Sequence, residues 1–190
     1  MRTARLILAL ATALGAAACG SSPKQSPPPA SRTATASPPR TTPAPIQLSS
    51  DFAPGGVIPR AHTCDGQDLS PPLRATGVPA ATEELVIVVV DQDAGDFMHW
   101  GIASLAPTRP GSMVLPAGAK PAGAVLGRNS FGSLGYRGPC PPQGDSAHHY
   151  EITAYALGRP SLLKPGFGAG ALTGLPVLAT GRLTGLYARH

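Results

Sequence analysis

Three carboxylates and a histidine follow the most apolar segment of the sequence. That segment, residues 85–90 (LVIVVV), is rich in β-branched side chains, and DQDAGDFMHW, residues 91–100, comes directly after it. A run of this composition that ends in clustered acids is typical of a buried strand that carries polar groups to a site. Asp91, Asp93 and His99 are therefore candidate functional residues.

A second polar group lies about fifty residues further along, in GPCPPQGDSAHHYEI. His148 and Tyr150 are two residues apart on a predicted strand, so they share a face. The prolines of residues 137–144 fix the backbone before that strand and aim its remaining N–H groups. Histidines beside carboxylates tend to stay protonated, because an opposite charge favours the charged form. Two charged histidines, a tyrosine hydroxyl and a free backbone N–H would suit a small anion such as a phosphate ester.

The same residues leave other interpretations open. A calcium loop beginning at Asp91 needs a glutamate at its twelfth position, where Ile102 stands. No short histidine pair has metal-ligand spacing, so we predict no metal site. The sequence lacks G-x-S-x-G, H-E-x-x-H and Walker A motifs, so we predict a binding protein rather than an enzyme and keep a hydrolase as the weaker alternative. Isolated structural histidines are a further interpretation, which is strongest for His62, His149 and His190.

Alternating or continuous apolar patterns predict the elements that position these residues. The predicted strands are residues 84–90, 99–105, 150–157 and 181–189. Residues 107–149 form a long stretch without periodicity, and residues 161–180 contain four glycines and two prolines, which argue against a long helix. The pattern predicts a mostly β fold with one or two short helices.

The N-terminal part of the chain has a different character. Residues 1–19 combine a basic start, an apolar stretch and small residues before Cys19, which is typical of a secretory signal peptide. AAAC resembles the bacterial lipobox, although Ala16 stands where a leucine is usual, so we predict acylation of Cys19. Residues 20–50 are rich in Pro, Ser and Thr and predict a disordered linker, which leaves residues 51–190 as the folded domain.

Charge and cysteine content narrow the partners and the compartment of that domain. All ten acidic residues and ten of the fifteen Lys and Arg residues lie in residues 51–190, so its formal charge is near zero and nucleic acid is not a predicted partner. Cys64 and Cys140 are the two cysteines that remain if Cys19 carries lipid. In an exported domain such a pair predicts one disulfide, with two separate buried thiols as the alternative.

Four blocks of the domain carry a family resemblance. They are, in chain order, TCDGQDLSPPL with GVP, VVVDQDAGDFMHW, GYRGPCPPQGDSAHHYEITAYAL and LTGLYAR. Together they resemble the phosphatidylethanolamine-binding protein family, also called Raf kinase inhibitor-like proteins, in its bacterial lipoprotein form. The resemblance implies a β-sandwich with a few short flanking helices and a small anion pocket at one end. The chain departs from the family pattern at Ala75, Gln92, Gly95 and His149.

The resemblance also implies which residues form the pocket and what it takes. The pocket residues would be Asp91, His99, Gly138, Pro139, His148 and Tyr150, with Asp93 bracing them. The ligand would be a small anion or a phospholipid head group, bound without a cofactor on the extracytoplasmic face of the cell membrane. An inhibitor or adaptor that acts on a protease or kinase through its surface is the alternative function.

The predicted lipid anchor is testable through Cys19. Replacing it in Cys19→Ala removes the acylated side chain, and we expect the protein to move from the membrane fraction to the soluble fraction of cell lysates. Unchanged partitioning of Cys19→Ala would contradict the anchor.

Overall fold

A computed structural model describes residues 45–190 of the chain. Within that range eight strands form two antiparallel sheets, one with the order β1-β2-β5 and one with the order β6-β4-β3-β7-β8. The strands are β1 Gln47–Ser49, β2 Leu73–Thr76, β3 Glu84–Asp91, β4 Phe97–Leu105, β5 Ser112–Leu115, β6 Val125–Leu126, β7 His148–Leu157 and β8 Val177–Tyr187. The helices described are short 3₁₀ turns at Arg60–His62 and Ala169–Leu172. The predicted mostly β sandwich with few helices is confirmed.

The central strand β3 is apolar on both faces because both faces are covered. Leu85, Ile87 and Val89 point into the main core, which is shared with the three-stranded sheet. Val86 and Val88 point the other way, into a smaller core under the segment that follows β7. A strand buried on both sides is continuously apolar rather than alternating, and that explains the LVIVVV pattern.

The four long predicted strands correspond to β3, β4, β7 and β8. The four-residue strand β2 lies in residues 59–79, where the density of turn formers predicts a loop or short edge strands. The strands β1, β5 and β6 have between two and four residues. So few residues give no measurable alternation, and for this reason the sequence pattern did not predict these three strands. The strand β8 also begins earlier than predicted, at Val177.

The predicted domain boundary at residue 51 is wrong by several residues. The strand β1 lies inside the predicted linker, and it pairs with β2 while Ile46 and Leu48 are buried in the main core. The Ile46 amide also donates to the Thr180 carbonyl at 3.0 Å. Composition averaged over a Pro/Ser/Thr-rich segment conceals two apolar residues at strand spacing. The predicted signal peptide, Cys19 and the linker up to residue 44 lie outside the described residues.

The predicted disulfide is present. Cys64 and Cys140 are bonded, with their Cα atoms 5.4 Å apart, so the alternative of two separate thiols is wrong. The bond joins the loop of residues 60–69 to the loop of residues 136–142. Among residues 45–190, no helix has the length and apolar character needed to cross a membrane.

Candidate functional site

The register of the five-stranded sheet brings the predicted residues to one end of the sandwich. Asp91, the last residue of β3, lies opposite Tyr150 on β7 and opposite Phe97 on β4. His148 begins β7, and His99 lies two residues beyond Phe97 on β4. Two polar groups that are far apart in sequence therefore meet because their strands are neighbours of β3.

Asp91 fixes the orientation of His148. Its Oδ2 atom accepts a hydrogen bond from Nδ1 of His148 at 2.8 Å, and its Oδ1 atom accepts the Asp93 amide at 3.0 Å. Asp91 is only 3% exposed, so both of its oxygens are used within the protein. The remaining ring nitrogen of His148, Nε2, lies 3.8 Å from Oδ2 of Asp145.

Backbone carbonyls fix the orientation of the His99 ring, as Asp91 fixes that of His148. Its Nδ1–H donates to the carbonyl oxygens of Arg137 at 2.8 Å and Gly138 at 3.1 Å, which leaves Nε2 without a proton in the neutral ring. Burial lowers the pKa of His99 below its ordinary value of 6.5, although the two carbonyls and Asp91 act in the opposite direction. The prediction that both histidines are charged is therefore wrong for His99, because desolvation outweighs the nearby carboxylate.

Tyr150 lies beside both imidazoles. Its ring centroid is 5.2 Å from that of His99, nearly perpendicular, and 6.4 Å from that of His148, nearly parallel. The Tyr150 hydroxyl is buried and makes no hydrogen bond of ordinary geometry to the residues described, while Asp91 and the Cys140 backbone lie near enough to act on its pKa. Burial, followed by the negative charge of Asp91, raises the pKa of Tyr150, so the hydroxyl keeps its proton. A buried hydroxyl without a partner is uncommon in folded proteins and marks a place for an acceptor.

Gly138 and Pro139 contribute through the backbone. The Gly138 amide donates to Oδ1 of Asp68 at 2.6 Å, and the Pro139 carbonyl accepts the Cys64 amide at 3.1 Å. A free backbone N–H was predicted in this loop, but the Gly138 amide is not free because Asp68 accepts it. Gly138 instead positions His99 through its carbonyl oxygen.

Asp93 contacts the site indirectly. Its Oδ2 atom accepts the His149 amide at 2.6 Å and Nδ1 of the His149 ring at 3.0 Å. These hydrogen bonds lower the pKa of Asp93. Asp93 thus braces the first residues of β7, as predicted for a bracing residue, but its hydrogen bonds go to His149 and not to the His99 and His148 rings.

Several residues that sequence reasoning did not select complete the rim beside His99. The Phe131 ring is 5.3 Å from the His99 ring and 4.8 Å from the Phe97 ring, and it is 46% exposed. The Arg137 guanidinium lies 5.4 Å from the centre of the Phe131 ring, and its Nε is 3.2 Å from Oδ2 of Asp68. Asp68 lies in the TCDGQDLSPPL block, but no sequence pattern predicts its contact with Gly138, seventy residues further along the chain.

The arrangement offers hydrogen-bonding groups rather than metal ligands. In the described part of the chain, no three His, Cys, Asp or Glu side chains are placed to hold a metal ion. Both imidazoles use Nδ1 for internal hydrogen bonds, so the Nε2 atoms and the Tyr150 hydroxyl remain for a ligand.

The close approach at Gly138 gives a stability prediction. A Cβ at this position would overlap the His62 carbonyl oxygen and lie 2.8 Å from Cα of Thr63, both of them backbone atoms. We expect Gly138→Ala to lower the free energy of unfolding by about 1–3 kcal/mol, measured by urea denaturation. Gly168→Ala is the matched control, because nothing lies within 4 Å of its Cβ and its φ is −111°. Equal midpoints for the two variants would contradict the close approach.

Comparisons with known proteins show the family to which the chain belongs. A sequence profile described as phosphatidylethanolamine-binding protein matches residues 48–188. A UPF0098 protein of Pyrococcus horikoshii is 39% identical over 152 residues, covering 76% of this chain and 77% of that protein. A predicted lipoprotein of Mycobacterium tuberculosis, LppC, is 39% identical over 165 residues, covering 84% and 80%. The crystal structure of a predicted phosphatidylethanolamine-binding protein homologue from Chlamydia trachomatis matches with a TM-score of 0.68 and 33% identity, covering 77% and 99%. The chain therefore belongs to the phosphatidylethanolamine-binding protein family.

Proposed function

We propose that this domain binds a small anionic group, a phosphate or a phospholipid head group, between His99, His148 and Tyr150. The observation that carries the proposal is the buried Tyr150 hydroxyl, which has no partner among the described residues and lies beside both imidazoles. An oxygen of the ligand would accept that hydrogen bond. Acylated Cys19 would hold the domain on the extracytoplasmic face of the membrane, and the similarity to LppC supports this placement.

The internal hydrogen bonds determine how the two imidazoles would meet an anion. Because Nδ1 of each ring donates inside the protein, only Nε2 can face the ligand. In a neutral ring of this tautomer Nε2 is an acceptor, which repels an anionic oxygen. At His99 the ligand would therefore bind together with a proton on Nε2, and the bound anion would favour the charged ring.

Binding without turnover fits the surroundings of the two histidines better than catalysis does. Their described hydrogen bonds go to Asp91 and to the carbonyls of Arg137 and Gly138, and none comes from a serine, threonine or cysteine nucleophile. The nearby Cys140 is in the disulfide. Hydrolysis of an aryl phosphate that disappears in His148→Ala would overturn this part of the proposal.

Calorimetry with phosphate and phosphoethanolamine tests the proposal directly. Tyr150→Phe removes one hydrogen bond to a charged ligand, and we expect a loss of about 1.5–3 kcal/mol, roughly tenfold or more in affinity. Thermal stability without ligand should change little, because the deleted hydroxyl makes no hydrogen bond of ordinary geometry to the described residues.

Tyr155→Phe is the matched control on the same strand, since Tyr155 packs against the smaller core on the opposite side of the sheet. It should leave the affinity unchanged. If neither ligand gives a binding signal with the wild-type protein, the result would favour a protein-binding surface instead.

The lowered pKa of His99 gives the sign of the pH dependence. Burial holds this pKa below 6.5 in the free protein, and a bound anion would raise it. The affinity for the anion should therefore weaken as pH rises from the pKa of His99 in the free protein to its higher pKa in the complex. Below the pKa of the free protein the affinity should be constant. Sulfate is the appropriate probe because it keeps one charge state over this range.

We expect the slope of affinity against pH to be smaller in His99→Gln than in the wild-type protein. A flat sulfate profile from roughly pH 5 to 8 for the wild-type protein would show that no histidine proton accompanies the anion.

A further inference from the structure

Asp145 lies beside Nε2 of His148, the ring nitrogen that would contact a bound anion. Its Oδ2 atom is 3.8 Å from Nε2 of His148, the ring nitrogen that Asp91 does not occupy. The Asp145 side chain is 51% exposed while that of His148 is 14% exposed, so the carboxylate stands on the solvent side of the imidazole. A carboxylate is itself a small anion, and this one lies 3.8 Å from the ring nitrogen of His148 that we assign to the ligand.

The backbone directly before Asp145 is held, because the Gly144 amide donates to the Arg189 carbonyl at 3.2 Å, so movement is open mainly to the Asp145 side chain. Gly144 has a φ of +86°, and nothing lies within 4 Å of the Cβ position at this residue. The Asp145 amide makes a long hydrogen bond of 3.3 Å to the Pro142 carbonyl. The side chain is therefore held mainly by its attraction to His148.

A neighbouring cleft could receive the displaced carboxylate. The cleft has a volume of about 830 Å³ and Asp145 lines it, together with the cationic side chains of Arg60 and Arg189. Arg189 is already paired with Asp65 through Nε and Nη2. Arg60 uses Nε for the Asp65 carbonyl, and its terminal nitrogens make no hydrogen bond to the residues described. Arg60 is thus the cation that is open to Asp145.

We propose that Asp145 is an internal competitor that occupies Nε2 of His148 in the free protein and moves toward the cleft when an external anion binds. The inference rests on the proposed function, because it concerns the same anion site. Two anionic groups cannot share one imidazole nitrogen without strong repulsion. A ligand therefore binds tightly only if its contacts with His99 and Tyr150 add to those with His148. Asp145 thereby determines specificity, and it discriminates against anions that contact His148 alone.

The test is a gain of affinity in Asp145→Asn, measured by calorimetry with sulfate and with phosphate at one fixed pH. When the competing state is removed, the apparent affinity rises by the reciprocal of the fraction of molecules in which Nε2 was free of Asp145, and we expect an increase of about fivefold or more. Asp96→Asn is the matched control, because Asp96 is an exposed acid on the loop after β3 and its φ of 58° suits asparagine. We expect less than about a twofold change in this control at moderate salt.

Salt separates direct competition from a general charge effect. At roughly 0.15 M salt the Debye length is about 8 Å, so the influence of a charge further away than this is largely screened, while Asp145, 3.8 Å from Nε2 of His148, lies well inside it. Asp145→Asn should still bind each anion more tightly than the wild-type protein does in the same buffer. An equal gain in Asp96→Asn, or a gain in Asp145→Asn that is seen at low salt and vanishes at roughly 0.15 M salt, would overturn the competitor role.

The outcomes separate this inference from the proposed function. If the wild-type protein binds both anions and Asp145→Asn binds them equally well, the competitor role is wrong and the anion site stands. If the wild-type protein binds both anions and Asp145→Asn binds them about fivefold more tightly or more, the anion site and the competitor role are both supported. If neither binds, and thermal unfolding shows that both are folded, the anion site is wrong and the competitor role with it.

Discussion

The site depends on one close approach of two backbone segments, at Gly138 against His62 and Thr63. No side chain fits between them, and the Cys64–Cys140 bond together with the hydrogen bond from Gly138 to Asp68 holds them there. This contact presents the carbonyls of Arg137 and Gly138 to Nδ1 of His99. A small displacement of either loop would release the imidazole, so the disulfide contributes to the site as well as to stability.

The sheet supplies the other half of the arrangement. Adjacent strands fix Asp91 opposite Tyr150, and Asp91 in turn fixes His148. The outcome is one buried imidazole whose pKa is lowered and one buried hydroxyl without a partner among the described residues. The hydroxyl costs stability in the free protein because buried polar groups are normally satisfied, and the lowered pKa of His99 costs stability as pH falls below the ordinary value of 6.5. A site formed before the ligand arrives loses less entropy on binding, which is the physical reason to retain such groups.

The sequence predicts this fold and site where the pattern is long or chemically distinctive. The β-branched run of β3 and the alternation of β7 indicate strands, and acids or histidines at their ends indicate a site. The short strand β1 could not be predicted, because two buried residues within a Pro/Ser/Thr-rich segment make no periodic pattern. The charge of His99 depends on its burial, which spacing does not reveal. Asp68, Phe131 and Arg137 join the site only through loop packing, which local sequence does not encode.

The most direct test of the account is ¹⁵N NMR of the imidazole nitrogens during a phosphate titration at constant pH. We expect His99 in the free protein to have Nδ1 protonated and Nε2 unprotonated, as the carbonyls of Arg137 and Gly138 require. Phosphate should shift the Nε2 resonances of both His99 and His148, with His62 as an internal reference because Asp51 and the Leu69 carbonyl occupy both of its nitrogens. Saturating phosphate that leaves both Nε2 resonances in place would contradict the account.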